Sequence, residues 1–192
     1  MILYLHGFRS SPHSFKAMML ASYMEARGRS AEFLCPQLPA SPREAVGLAW
    51  RHVRGTDPSS LTVIGSSLGG FYATWLAEQT GCKAIVLNPA VHPRRDLKQA
   101  VGVSTAYHSE APFEFKPEYL DEFVPLKVGA ITRPERYFLI AAKGDELLDW
   151  RDMVAHYPGA HQCVIEGSDH GLSDFDRHID RVIAFCDGGE AG

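Results

Sequence analysis

Short apolar runs of strand length recur along this chain, with helical patterns between most of them, and that rhythm restricts the folds open to it. The runs are Ile2 to Leu5, Ala31 to Cys35, Leu61 to Ile64, Ala84 to Leu87, Tyr137 to Ala142 and Gln162 to Ile165. Each is long enough for a buried strand and too short for a helix. Strands that alternate with helices need crossover connections, which produce a mainly parallel sheet of about six strands covered on both faces.

The intervening helices can be read from their spacing. Phe15, Met18, Met19, Ser22, Tyr23 and Ala26 recur at i, i+3, i+4, and Gly28 can adopt the left-handed conformation that ends a helix. Leu68, Phe71, Tyr72, Trp75 and Leu76 repeat the pattern up to Gly81. A last apolar stripe comprises Phe175, Ile179, Val182, Ile183 and Cys186, with Asp174 as the expected N-cap. Residues 187 to 192 are expected to fray.

Residues 91–135 break the rhythm. The interval holds Pro93, Pro112, Pro117, Pro125 and Pro134, several aromatics and no clean strand. A long interruption of this kind between core strands is usually functional, and Tyr107, Phe113, Phe115, Tyr119 and Phe123 give it enough apolar surface to pack. A small helical lid within one domain spanning residues 1–192 is the expectation, the alternative being an excursion that covers a sheet edge.

Charge and composition exclude several classes of partner. The 192 residues can bury a complete core, 45% are apolar, and the net charge of -4 disfavours nucleic acid or an anionic membrane as ligand. No run approaches the roughly 20 apolar residues of a membrane span, and Met1 is followed at once by Ile2-Leu3-Tyr4-Leu5 without a positive leader region. Cys35, Cys82, Cys163 and Cys186 lack metal-ligand spacing. Free thiols, a cytoplasmic location and no metal are expected.

Chemistry is signalled first by Gly65-Ser66-Ser67-Leu68-Gly69-Gly70, a G-x-S-x-G pattern that directly follows a strand and precedes an amphipathic helix. A serine on a strained strand-to-helix turn needs neighbours without Cβ, so that both elements approach closely and the hydroxyl projects; Gly65 and Gly69 meet that need. Ser66 lacks glycines at both flanking positions. A plain turn in which Ser67 only caps the helix is the bland alternative.

A serine hydroxyl becomes an effective nucleophile only with a base to take its proton and donors to hold the oxyanion. In elbows of this type one donor is the N–H after the nucleophile, here Leu68, and the other comes from the loop after an earlier strand, here Phe8 in His6-Gly7-Phe8. His6 comes too early in the chain for the base and is expected to brace that loop. His170, in the glycine-flanked Glu166-Gly-Ser-Asp-His170-Gly171, follows the last strand and is the candidate base. The other histidines, His13, His52, His92, His108, His156, His161 and His178, read as surface residues. The acid that orients His170 is expected to be Asp145, the first carboxylate after the strand ending at Ala142 and the Gly144 turn; Glu146 and Asp149 are its rivals. Asp149 would start the next helix and Glu146 would face solvent.

These residues together resemble the α/β-hydrolase superfamily, and within it the small bacterial YqiA-like esterases. The resemblance rests on His6-Gly7-Phe8 with Ser10-Ser11-Pro12, Gly65-Ser-Ser67-Leu-Gly69-Gly70, Leu87-Asn88-Pro89-Ala90, Gly144-Asp145-Glu146 and His170. It implies a three-layer α/β-hydrolase fold lacking the superfamily's first two strands, and an esterase or thioesterase that works through an acyl-enzyme without cofactor on a small acyl substrate. The same residues would also serve an amidase, a lyase or a cofactor-free haloperoxidase, and a binding module could keep the shape. Nothing in the sequence indicates the oligomeric state.

Overall fold

The computed structural model describes residues 1–107 and 111–189. In chain order, β1 (Ile2–Leu5), α1 (Phe15–Glu25), β2 (Phe33–Leu34), α2 (Pro42–Val53), β3 (Thr62–Ser66) and α3 (Leu68–Thr80) lead to β4 (Lys83–Leu87). Then come α4 (Pro93–Asp96), β5 (Gly102–Thr105), β6 (Pro112–Phe115) and α5 (Tyr119–Glu122). The chain closes with β7 (Tyr137–Ala142), α6 (Trp150–His156), β8 (His161–Ile165) and α7 (Ile179–Cys186).

The main sheet has six parallel strands in the order β2-β1-β3-β4-β7-β8. Period-two alternation sends Leu3, Leu5, Val63, Val86 and Leu139 to the face covered by α2 and α3. Ile2, Tyr4, Ile64, Ile85 and Phe138 turn to the opposite face, against α1 and α7. Each such side chain contributes about 1.5–3 kcal/mol on burial, which makes the sheet the rigid platform of a three-layer domain. Among the described residues no helix is long and apolar enough to cross a membrane.

The chain leaves β1 toward β2 on one side and leaves β3 toward β4 on the other. The carboxyl ends of β1 and β3 therefore flank a topological switch point, where open α/β sheets form their ligand crevice. His6 follows β1 and Ser67 follows β3.

Several expectations need correction. The second strand is only Phe33–Leu34, because Ser30–Glu32 form a 3-10 turn and Pro36 stops further pairing. The 91–135 interval does contain strands: β5 and β6 form an antiparallel ribbon beside the short helices α4 and α5. Its outer strand is mostly exposed and so leaves no apolar run to read, while Phe113 and Phe115 alternate with Glu114 on the inner one. Asp174 precedes the 3-10 turn Phe175–Arg177, and its carboxylate accepts from the Ser168 hydroxyl instead of capping α7. Among the histidines read as superficial, His13, His52 and His161 are exposed, whereas His92, His156 and His178 are half-buried. His108 and the last three residues lie outside the described residues.

Candidate active site

The strand-to-helix turn is sharp. Ser67 sits between β3 and α3 with φ 53° and ψ -120°, a left-handed conformation that costs a non-glycine residue about 1–3 kcal/mol. Its main chain is restrained on both sides: its N–H donates to the Leu87 carbonyl at 3.0 Å, and its carbonyl accepts from Gly70 N at 2.9 Å and Ala90 N at 3.0 Å. A Cβ on Gly69 would lie 1.9 Å from the Leu5 carbonyl oxygen, and one on Gly65 would lie 2.2 Å from the Gly69 oxygen. Only glycine lets the helix start this close to the strand ends.

Ser67 Oγ is 3.0 Å from His170 Nε2, and His170 Nδ1 is 2.8 Å from Asp145 Oδ2. The three side chains thus form one hydrogen-bonded line from the end of β3 to the end of β7. The Asp145 side chain is fully buried, and its other oxygen accepts from Leu147 N and Leu148 N, both at 2.8 Å. A carboxylate held on both oxygens keeps a fixed orientation, so the Nδ1 proton of the imidazole points at it and Nε2 is left to accept from the serine. Asp149 is not part of the line; it caps α6 by accepting from Arg151 N at 2.9 Å. Asp169 is turned to Ser173 N at 3.0 Å.

Glu146 is exposed, as expected, yet it is not idle. Its Oε2 accepts from the His170 backbone N–H at 2.9 Å, so the loop that carries Asp145 also holds the main chain of His170. Asn88 grips the same segment from β4: its Nδ2 donates to the Asp169 carbonyl at 2.9 Å and to the His170 carbonyl at 3.1 Å, while its Oδ1 accepts from Ala142 N at 2.8 Å. Asn88 is completely buried and has φ 41°. From α1, Lys16 Nζ donates to the Gly171 carbonyl. Neither Lys16 nor the role of Asn88 was visible in the sequence, although Leu87-Asn88-Pro89-Ala90 stood out there as a motif. The loops before Asp145 and His170 touch closely as well, since a Cβ on Gly144 would be 2.2 Å from the Ser168 carbonyl.

On the opposite side of Ser67, His6 is buried at 3% exposure and its Nε2 accepts from Leu38 N at 3.0 Å. The proton is then assigned to Nδ1, which lies 3.0 Å from the Gly7 carbonyl and donates to it. A Cβ on Gly7 would stand 3.3 Å from Ser67 Cβ, so this loop lies against the serine. The Phe8 ring meets Phe113 and Phe115 edge-on at 5.1 and 5.0 Å, which joins the loop to the β5–β6 ribbon. Among the described residues no oxygen accepts from the backbone N–H of Phe8 or Leu68. Ser67, His170, Gly7, Phe8, Lys16 and Tyr107 help line a cavity of about 240 Å³.

Burial pushes the Lys16 ammonium down to about 8, against the opposing pull of Asp169 and Asp145. The ordinary lysine value is 10.5, so the unfolded chain binds more protons between these limits and stability rises with pH across them. The cost, about 3 kcal/mol, is whole below pH 8 and disappears by the ordinary value. From pH 7 to 10 the melting temperature of the wild type should therefore gain about 5 °C or more on that of Lys16→Met. A constant difference over that range would contradict the buried charge.

The family described as "Uncharacterised protein family (UPF0227)" matches residues 1–187. A UPF0227 protein of Yersinia pseudotuberculosis is 22% identical over 192 residues, covering 96% of this chain and 98% of the relative. Among solved structures, mouse alpha/beta hydrolase domain-containing protein 10 superposes with a TM-score of 0.74 at 15% identity, over 97% of this chain and 89% of that one. A structure from LipS and LipT, two metagenome-derived lipolytic enzymes, gives 0.68 at 18% identity, over 97% and 93%. The fold common to these chains is the α/β-hydrolase fold.

Proposed function

The chain belongs to the UPF0227 family, and from that premise we propose that it is a serine hydrolase that cleaves carboxylic esters or acyl thioesters through an acyl-enzyme. The observation that carries this reading is the line Ser67 Oγ, His170 Nε2 and Nδ1, Asp145 Oδ2, with steps of 3.0 and 2.8 Å. A hydroxyl on a strained elbow, a base within reach and a buried carboxylate behind the base are what acyl transfer requires.

Ser67 Oγ passes its proton to His170 Nε2 as it bonds to the acyl carbon, and the carbonyl electron pair moves onto oxygen. That oxyanion is received by the N–H groups of Phe8 and Leu68, with the positive end of the α3 dipole beneath it. As the intermediate collapses, the bond to the leaving oxygen or sulfur breaks and the leaving group takes the proton from His170. Water then attacks the acyl-serine by the same path, giving the free acid and restoring Ser67. His6 and Gly7 support the oxyanion side. Residues 91–135 act as the lid, with Tyr107 at the cavity and the ribbon against Phe8.

A fluorophosphonate probe tests this directly, because its capture requires both an activated serine and its base. One label per chain, mapping to Ser67, is expected. His170→Gln should not label, since the serine then has no base to take its proton. Equal labelling of that variant would defeat the assignment of the base.

Glu146→Ala should lower kcat about tenfold, the equivalent of about 1.4 kcal/mol, with KM little changed. The ring then keeps its partners but its main chain loses an anchor. Glu146→Gln, whose amide oxygen can still accept, should fall in between. Initial rates on one short-chain ester, with melting temperatures alongside, decide it; full activity in Glu146→Ala would mean that the bond to His170 N has no bearing on the base.

A further inference from the structure

We propose that a second cavity, formed by the lid segment and α3, binds a single-chain amphiphile with an anionic head, such as a medium-chain carboxylate. This cavity encloses about 440 Å³, within the roughly 300–1,000 Å³ of small-molecule sites. It shares no lining residue with the cavity at Ser67 and His170, so the inference stands apart from the hydrolase reading.

Its floor is apolar. Phe71 of α3, Val91 and Phe123 belong to the main core and are 6%, 7% and 2% exposed, whereas Val124 beside them is 60% exposed. Its rim is basic. Arg94, Arg95, Lys98, Lys127 and His92 all line the opening, and no acidic residue does. The chain as a whole carries a net charge of -4, so this concentration of one sign runs against its composition.

The cations are not equally committed. Arg94 pairs with Asp121 at 2.9 Å, and Arg95 with Asp96 at 2.7 Å and Asp152 at 3.1 Å. Lys98 and Lys127 have no ion-pair partner among the described residues. The positive field reaches behind the floor: His156 is held below its ordinary value first by burial and then by His92 and Lys127. An apolar pit that opens beneath two uncompensated ammonium groups fits a ligand whose tail lies on Phe71, Val91 and Phe123 and whose anionic head meets Lys98 and Lys127.

Calorimetric titration of the full chain with decanoate, inorganic phosphate and the neutral decyl maltoside tests this. Decanoate should bind one per chain, more tightly than either control by at least tenfold. Lys98→Glu combined with Lys127→Glu should weaken it at least tenfold, and so should Val124→Asp, with melting temperatures near the wild-type value because all three positions lie on the rim. In NMR spectra of the complex, the ligand chain should show contacts to the Val124 methyls. Phosphate binding as tightly would mean a bare anion site, and decyl maltoside binding as tightly a bare apolar one; either overturns the proposal. So would contacts to Phe15 or Tyr107, which place decanoate at Ser67, or self-association that the charge reversals abolish, which assigns this face to a second copy.

Discussion

Ser67→Ala should lower kcat for ester hydrolysis by about six orders of magnitude, as loss of the nucleophile does in a well-studied serine protease, and should abolish covalent labelling. The expectation rests on geometry. His170 Nε2 has Ser67 Oγ at 3.0 Å, and removing that one oxygen leaves the base with nothing to activate. The elbow is held by main-chain hydrogen bonds to Leu87, Gly70 and Ala90, which the substitution leaves in place, so the melting temperature should barely move. Ser66→Ala, one residue back in β3, should retain most activity. Labelling of Ser67→Ala at the wild-type rate would move the nucleophile elsewhere.

Asp145→Asn is expected to cost about four orders of magnitude in kcat, by analogy with the same change in a well-studied triad. The amide keeps the size of the carboxylate but changes what it offers. One Asp145 oxygen already accepts from Leu147 N and Leu148 N, so the asparagine oxygen should settle there and its NH2 should face His170 Nδ1. The ring must then accept at Nδ1 and carry its proton on Nε2, the tautomer that cannot take a proton from serine. Asp149→Asn should instead lower stability by about 1 kcal/mol or less, because Asp149 caps α6 and pairs with the exposed Arg151, and touches neither Ser67 nor His170 through a hydrogen bond. Rates and melting temperatures of the two variants, compared in one buffer, separate these effects. Loss of activity in Asp149→Asn alone would transfer the acid to that position.

Much of this arrangement can be read directly from the chain. Strands buried on both faces leave unbroken apolar runs, so β1 and β7 are found at their full limits, and the elbow is legible because glycine is the only residue that fits at 65 and 69. The proximity of Ser67, Asp145 and His170 was likewise legible in outline, because each follows the end of a recognisable strand. The ribbon was not, since β5 is exposed and buries too little to enforce a pattern. The bond from His170 N to the exposed Glu146 was missed for another reason: a carboxylate that accepts from a main-chain N–H on a distant loop leaves no mark in local spacing. Lys16 is a still stronger case. It reaches the Gly171 carbonyl from a helix 155 residues earlier, and the periodicity of α1 would read it equally well as a solvated lysine.

The unequal packing around the site should make mutational tolerance uneven along the chain. A single added methyl at position 69 or 144 collides with main-chain oxygen, which cannot move aside without disturbing the sheet ends. Val103, on the exposed ribbon, stands 73% in solvent and meets no such barrier. Inherited variation can therefore be tolerated on the outer surface of the ribbon where a change at position 69 or 144 would not be. Lineages descended from a chain like this one are then free to vary the exposed face of the ribbon while positions 69 and 144 are held to glycine.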